Sequence, residues 1–130
     1  MKKLLFSLLF LVASLFAEVK YTDMFDAYEE AKIQNRTVLI MLAREGCPGC
    51  EHMQKVVFED KEISNYINEN YILVLLDVYN EYVPEELEYF ATPTFYFLNA
   101  DETIIKRVNG GEKKVEFLST LKSVITQTKK

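Results

Sequence analysis

Two long runs of apolar residues constrain the fold of this chain more than any other feature of its sequence. The first covers Thr37–Ala43 (TVLIMLA) and the second covers residues 71–78 (YILVLLDV). Neither run alternates between polar and apolar residues, as a strand with one face in water would. A continuous run rich in branched residues is typical of a strand that is covered on both faces. The sequence therefore predicts a central sheet that lies between layers of helices.

Helical and hairpin patterns surround these two runs. The first helix is capped by Thr22 or Asp23, runs to about Asn35, and presents Phe25, Tyr28, Ala31 and Lys32 at helical spacing. The other predicted helices cover residues 47–58, residues 60–70 with Asp60 as the cap, residues 84–90 with Pro84 at the first position, and a terminal amphipathic helix marked by Val115, Leu118, Leu121, Lys122 and Ile125. Strands at residues 94–98 and 103–108 flank a turn and form a hairpin.

This order of elements predicts the arrangement of the sheet. Strands that are separated by helices are expected to run parallel through right-handed crossovers, whereas the two strands of the hairpin must be antiparallel. The predicted fold class is therefore α/β, with one mixed central β-sheet and helices on both faces.

Composition and charge narrow the class of protein. A chain of 130 residues that is 49% hydrophobic can bury one core, and its two cysteines can close at most one disulfide. The 15 basic and 20 acidic residues give a net charge of −5. Because binding to nucleic acid depends on clustered Lys and Arg, we expect no nucleic-acid partner.

The first 17 residues have the layout of a secretory signal peptide. Two lysines give a basic start, an apolar run follows, and Ala17 precedes the first acidic residue, Glu18. We expect residues 1–17 to be a signal peptide that is cleaved after Ala17, which leaves residues 18–130 as one domain in the periplasm or another exported compartment. An uncleaved amino-terminal membrane anchor is the alternative, because Leu15 stands where a smaller residue is preferred.

A pair of cysteines stands where the first buried run ends and a helix begins. The motif is Cys47-Pro48-Gly49-Cys50, and Gly46 ends the turn before it. The free N–H groups and the positive dipole at a helix start favour an anion, so the pKa of Cys47 should lie below its usual value of roughly 8.5. Cys50 lies one helical turn further on and can attack a mixed disulfide formed at Cys47. These residues are predicted to form a redox pair, with Cys47 as the attacking and Cys50 as the resolving cysteine and with Gly46, Pro48 and Gly49 as the active-site loop.

Two other roles of this motif have to be weighed. A structural disulfide across such a short loop would restrict the unfolded chain very little. A copper-handling module is the alternative function, because Cys47, Cys50, His52 and Met53 are soft ligands. Helical geometry opposes it, since His52 lies about 200° around the helix from Cys50, and Met53 is expected to pack into the core. We therefore predict no metal site and no cofactor.

Taken together, these motifs resemble those of the thioredoxin superfamily, over essentially all of residues 18–130. The resemblance is carried by VLIMLAREGCPGC at residues 38–50, the strand that ends in Asp77, the segment ATPT at residues 91–94 before FYFL, and Gly110-Gly111 before the last helix. The chain looks most similar to exported thioredoxin-like proteins and to the terminal thioredoxin domain of the membrane reductase DsbD. This resemblance implies a thioredoxin-like fold and thiol:disulfide oxidoreductase activity.

The resemblance also implies a binding site for the substrate. In this family the proline at the position of Pro93 is cis and lies against the cysteines, and the residue before it, here Thr92, offers backbone hydrogen bonds to an extended chain. The implied substrates are protein thiols and disulfides, and a membrane or soluble redox partner is expected to recharge the pair. Similarity to reductase-side proteins favours the reducing direction.

Several positions depart from cytosolic thioredoxins. The chain has no tryptophan, and Met41 stands six residues before Cys47, in the strand where those proteins bury an aspartate that helps to move a proton. Proton transfer at Cys50 must then use water or another carboxylate, for which the candidates are Glu45, Glu51 and Asp77. The order Pro48-Gly49 reverses the Gly-Pro order of thioredoxins, so the family implies no redox potential for this pair.

The segment before Pro93 is both acidic and aromatic. Its glutamates form either a solvated face or a docking surface for a basic partner. Its tyrosines form either ordinary surface or the rim of a substrate groove. The glutamates are Glu81, Glu85, Glu86 and Glu88, and the tyrosines are Tyr79, Tyr82 and Tyr89.

Overall fold

The computed structural model of the protein describes residues 18–129, and the predicted signal peptide lies outside them. Within this range four strands form one mixed sheet in the order β2-β1-β3-β4. The strands are β1 (Thr37–Ala43), β2 (Tyr71–Asp77), β3 (Thr94–Leu98) and β4 (Ile104–Asn109). The helices are α1 (Met24–Gln34), α2 (Pro48–His52), α3 (Lys61–Asn70) and α4 (Lys114–Thr128), and a π-helical turn (Met53–Val57) follows α2 directly. This confirms the predicted α/β class with a mixed sheet.

Strand β1 is the centre of the fold. All seven of its residues are buried, and it pairs in parallel with β2 and antiparallel with β3. Its side chains alternate between two cores, with Leu39, Met41 and Ala43 in one and the even-numbered residues in the other. Because both faces of β1 are covered, the unbroken apolar run in the sequence is explained.

Helices cover both faces of the sheet, as predicted. Residues of α2, α3 and α4 share one core with both cysteines, and the rings of Phe95 and Phe117 meet there at 5.2 Å between centroids. The other core is closed by α1 and by Leu87 from the loop before β3. Hydrogen bonds hold the layers together, since the buried hydroxyl of Tyr71 in β2 donates to the carbonyl oxygen of Leu121 in α4 at 2.6 Å.

The predicted helix at residues 84–90 is wrong, and so is the parallel direction that it implied for β3. This segment forms a single turn in which the Leu87 N–H donates to the Pro84 carbonyl oxygen at 3.0 Å, and Leu87 is its only buried residue. One buried side chain cannot provide the apolar stripe that stabilises so short a helix. Without a helical crossover, the chain turns back at the end of β2 and enters β3 antiparallel to β1.

Two further corrections concern the helices. The first helix begins at Met24 with Asp23 as the cap, but Phe25 is 96% exposed and the helix packs on the sheet through Ala27 and Ala31. Small residues four apart allow the helix to approach the sheet closely, whereas Phe25 lies about 200° around the helix from Ala27. The helix expected over residues 47–58 changes to π-helical geometry after His52, with a hydrogen bond of 2.8 Å from the Phe58 N–H to the Met53 carbonyl oxygen.

The segment that precedes α1 lies along the edge of β2. Tyr21 forms a single parallel bridge with Leu73, and the Thr22 N–H donates to the Leu73 carbonyl oxygen at 2.7 Å. The Asn68 side chain accepts from the Lys20 N–H at 3.1 Å and donates to the Glu18 carbonyl oxygen at 2.9 Å. Across residues 18–129, every helix is too short or too polar to cross a membrane.

Candidate active site

The cysteine pair lies on the loop that leaves the carboxyl end of β1. The loop turns at Gly46, whose φ of +69° is a conformation that side chains with a Cβ rarely adopt. Cys47 and Cys50 form a disulfide, and their Cα atoms are 5.2 Å apart. The structure therefore brings together the two residues that the sequence predicts as the redox pair.

Cys47 is the N-cap residue of α2. Its sulfur accepts the Cys50 N–H at 3.1 Å, and its carbonyl oxygen accepts the Glu51 N–H at 3.0 Å. Pro48 takes the first helical position, where a missing N–H costs nothing. After reduction, the same N–H would donate to an anionic sulfur, and such charge-assisted bonds are the stronger kind. The local geometry thus favours the thiolate at Cys47 over the thiolate at Cys50.

Thr92 and Pro93 lie directly against the cysteine loop. The Thr92–Pro93 peptide bond is cis, as the family resemblance implied. The Thr92 carbonyl oxygen is 3.3 Å from the Cys47 sulfur, and the Pro93 carbonyl oxygen accepts the Gly110 N–H at 2.8 Å. An oxygen so close to sulfur favours a thiol over a thiolate, so it opposes the N–H that caps the sulfur from the other side.

Gly49 and Gly111 allow neighbouring segments to pack closely beside the cysteines, and the sequence did not reveal these contacts. A Cβ on Gly49 would be 3.1 Å from Cδ of Pro93, and a Cβ on Gly111 would be 3.5 Å from Sδ of Met53 and 3.6 Å from the Gly49 carbonyl oxygen. Gly49 is thus the point at which α2 touches the loop of Pro93. The only signal in the sequence was the glycine itself, because its partner is distant along the chain.

The sulfur atoms face the core more than the solvent. Cys47 is 2% exposed and Cys50 is 1% exposed, whereas Pro48 on the loop between them is exposed. The hydroxyl oxygen of Thr92 is also buried, and no hydrogen-bond partner lies near it. Of the loop between the two sulfur atoms, Pro48 is therefore the residue most accessible from solvent.

The carboxylates considered for proton transfer all lie outside the core. Glu45 and Glu51 are exposed, and Glu51 is 3.9 Å from the Lys55 ammonium. Hydrogen bonds from the Tyr79 N–H at 2.9 Å and the Asn80 amide at 2.7 Å hold the pKa of the Asp77 carboxyl below its usual range. A lowered pKa makes Asp77 a poor proton acceptor near pH 7. Among residues 18–129, no aspartate or glutamate is buried beside the cysteines.

The residues of the copper alternative point in different directions. His52 is exposed, while Met53 is fully buried in the core that contains both cysteines, as the helical geometry predicted. Within the described part of the chain, no group of three or more His, Cys, Asp or Glu residues is arranged to hold a metal ion.

Comparison with known proteins identifies relatives of this arrangement. Residues 24–125 match the family model of a thioredoxin-like domain. Spermatogenesis-associated protein 20 from Mus musculus is 31% identical over 52 residues, a match that covers 40% of this chain and 7% of that protein, and the Rattus norvegicus protein is 29% identical over the same length and share.

Solved structures share the fold over most of the chain. A thioredoxin from Thermus thermophilus superposes with a TM-score of 0.71 at 24% identity, covering 83% of this chain and 88% of its own. The DsbH oxidoreductase superposes with a TM-score of 0.69 at 18% identity, covering 85% and 86%. A thioredoxin-fold protein from Helicobacter pylori gives 0.62 at 19% identity, covering 85% and 77%.

Proposed function

The chain belongs to the family of thioredoxin-like domains, and we propose that it is an exported thiol:disulfide oxidoreductase that reduces disulfides in protein substrates. One observation supports this proposal above the others. Cys47 and Cys50 form a disulfide at a helix start, where the Cys50 N–H is directed at the Cys47 sulfur. A cysteine stabilised as a thiolate and a second thiol within reach are the two requirements of disulfide exchange.

The reaction begins with the reduced pair. The Cys47 thiolate attacks one sulfur of a substrate disulfide, forms a mixed disulfide, and expels the other substrate sulfur as a thiolate that takes a proton from water. The Cys50 thiol then loses its proton and attacks the Cys47 sulfur. This step forms the Cys47–Cys50 disulfide and releases the second substrate thiol. Two electrons pass from the cysteine pair to the substrate.

The substrate chain would lie beside Thr92 and Pro93. These residues pack against the cysteine loop, and the Thr92 carbonyl oxygen is next to the attacked sulfur. In this proposal the Thr92 backbone pairs with an extended substrate as an added strand would. Another dithiol protein, membrane-bound or soluble, returns the electrons to the oxidised pair.

A trapping experiment tests the roles of the two cysteines. With Cys50→Ser, the mixed disulfide at Cys47 cannot be resolved, so the purified reduced variant should accumulate a covalent adduct with insulin on a non-reducing gel. The matched control is Cys47→Ser, which should form far less adduct because Cys50 is not the N-cap residue. Equal trapping by both variants would refute the assignment of attacking and resolving cysteines.

The direction of electron transfer and the export of the protein need separate measurements. Equilibration with glutathione buffers gives the redox potential of the pair, and a value near that of thioredoxin, about −270 mV, fits a reductant, whereas a value near about −120 mV fits an oxidant. The mass of the protein recovered after expression with residues 1–130 should equal that of residues 18–130. An intact mass would instead support the uncleaved anchor.

A further inference from the structure

The segment at residues 79–90, which we call the aromatic loop, connects β2 to β3 beside the active site. Strands β1 and β2 are parallel and β3 is antiparallel to β1, so β1 and β2 end where β3 begins. The cysteine loop leaves β1 at this same end of the sheet. The aromatic loop therefore emerges at the edge of the sheet that carries the redox pair.

Exposed aromatic side chains are concentrated in this loop, which holds four of the six exposed aromatic residues in the described chain. Phe90 is 88% exposed, Tyr82 is 78% exposed and Tyr79 is 74% exposed. Tyr89 is partly exposed as well, and it lines an open depression of about 650 Å³ together with Phe90, Val83 and Leu87. Large apolar residues that gather in this way on a surface mark an interaction site.

The loop is held in place despite its lack of regular structure. Leu87 is buried, the Tyr96 hydroxyl donates to the Glu88 carbonyl oxygen at 2.7 Å, and the Thr94 hydroxyl donates to the Ala91 carbonyl oxygen at 2.7 Å. A loop whose backbone is anchored in this way loses less conformational entropy when a partner binds, so it is suited to binding.

The end of the aromatic loop is only two residues along the chain from the residue that lies beside the Cys47 sulfur. Phe90 is two residues from Thr92, and the Thr92 carbonyl oxygen is 3.3 Å from the Cys47 sulfur. Two residues span at most about 7 Å. A substrate segment that is joined to Cys47 and extended at about 3.3 Å per residue would reach Phe90 with its third or fourth residue from the cysteine.

The charge of the loop indicates the chemistry of its partner. Residues 79–90 contain four glutamates and no lysine or arginine. Glu85 and Glu88 are exposed and line the same depression as Phe90. An acidic rim around exposed aromatic rings is complementary to a segment with apolar side chains flanked by Lys or Arg.

We propose that the aromatic loop selects the substrate of the redox pair, which is a protein segment with an apolar residue three or four positions from its cysteine and with Lys or Arg beside it. This inference rests on the proposed function, because it concerns the substrate of that same site. It assigns specificity to a loop that does not take part in the exchange itself.

The test uses three synthetic peptides, each with one cysteine. The first has Phe three residues from the cysteine and flanking lysines, the second replaces the lysines by glutamates, and the third replaces Phe by Ser. Each is made as a mixed disulfide with 2-mercaptoethanol, to measure single-turnover reduction, and as a fluorescein-labelled Cys→Ser version, to measure binding to the oxidised protein. Bis(2-hydroxyethyl) disulfide, which is too small to contact the loop, reports the reactivity of the cysteines.

We expect the first peptide to bind and to be reduced about tenfold better than either of the others, the difference that one well-placed aromatic contact produces. The variant Phe90→Ser should remove most of the preference for Phe. Its control is Ile33→Ser, because Ile33 is 76% exposed in α1, near the start of β1 and thus at the opposite end of the sheet. Both side chains are exposed, so both variants should keep the fold, as thermal unfolding will show.

A second pair of variants tests the charge. Replacing Glu85 and Glu88 by Gln should reduce the preference for lysines severalfold, and so should raising the salt to about 0.5 M. The control replaces Glu59 and Glu69, two exposed glutamates outside the loop, by Gln and changes the net charge equally. All variants should reduce the small disulfide within about twofold of the wild-type rate, because the exchange step is unchanged.

Each contrary result has a distinct meaning. Equal binding of the three peptides, or equal effects of Phe90→Ser and Ile33→Ser, would overturn the proposal for the loop. So would a dimer that dissociates in Phe90→Ser with unchanged peptide binding, since a second copy of the chain would then cover the loop. Failure to reduce even the small disulfide would refute the proposed function, and the binding of the Cys→Ser peptides would still decide the role of the loop.

Discussion

The contact between Gly49 and Pro93 leads to a sharp prediction for the substitution Gly49→Ala. The new Cβ would be 3.1 Å from Cδ of Pro93, several tenths of an ångström closer than an ordinary contact. Pro93 cannot easily retreat, because it is buried, its carbonyl oxygen accepts the Gly110 N–H at 2.8 Å, and β3 begins at the next residue. The strain must therefore shift the start of α2 relative to the loop of Pro93.

Two effects of this substitution oppose each other. Replacing a helical glycine by alanine is favourable by roughly 0.5–1 kcal/mol, because alanine loses less conformational entropy on folding. Crowding a packed site with an extra methyl group typically costs about 1–3 kcal/mol. Because the contact is with a ring held on a buried segment, we expect the crowding to win by about 1 kcal/mol. For a domain of this size, that lowers Tm by about 4 °C.

Urea unfolding of the oxidised protein, followed by circular dichroism, measures this loss. The matched control is Gly111→Ala, whose Cβ would be 3.5 Å from Sδ of Met53, an ordinary contact. We expect the control to change stability by less than about 0.5 kcal/mol, as is usual for a substitution that meets no special feature. Reduction of insulin should also slow in Gly49→Ala, since the Cys47 sulfur moves relative to the Thr92 backbone. Equal stability and equal turnover of the two variants would show that the Gly49–Pro93 contact carries no constraint.

Two further predictions concern side chains outside the cysteine loop. Tyr71→Phe should cost about 1–2 kcal/mol at pH 7, because the Leu121 carbonyl oxygen loses its buried donor. Burial raises the pKa of the Tyr71 phenol above its usual value of about 10, so its contribution to stability is complete below pH 10 and is lost above it. Urea unfolding of the wild type should thus show a fall in stability above pH 10 that is smaller in Tyr71→Phe, and equal slopes would contradict this. Asp77→Asn should leave the rate of insulin reduction at pH 7 within about twofold of the wild-type rate, because hydrogen bonds from Tyr79 and Asn80 already make the Asp77 carboxylate a weak base. A larger loss of rate would show that Asp77 takes part in proton transfer.

Local patterns were sufficient for most of the secondary structure. The strands at residues 37–43 and 94–98 appear at the predicted bounds, and the helix capped by Asp60 begins where the sequence indicated. These elements are stabilised by interactions within a few residues, such as the bonds from the Glu62 and Ile63 N–H groups to the Asp60 carboxylate at 3.0 and 3.2 Å. The strand-to-helix position of the cysteines followed from the same kind of information.

The failures occurred where distant parts of the chain decide the outcome. Pro84 and the acidic residues after it have the composition of a helix start, but the segment offers only Leu87 to the core, so it forms a loop. That loop then determines the direction of β3. Likewise, Phe25 has the spacing of a core residue, yet α1 buries Ala27 and Ala31 and packs Met24 and Tyr28 against the same core, so Phe25 is left on the opposite face.

The sequence by itself determined the chemistry of this protein, because a Cys-x-x-C pair at a helix start is encoded within a dozen neighbouring residues. Only the tertiary structure decided what surrounds the pair. The 3.3 Å contact of the Thr92 carbonyl oxygen with the Cys47 sulfur and the close approach of Pro93 to Gly49 join residues more than 40 positions apart. Such contacts depend on how β1 and β3 align in the sheet, and side-chain packing over the whole core sets that register.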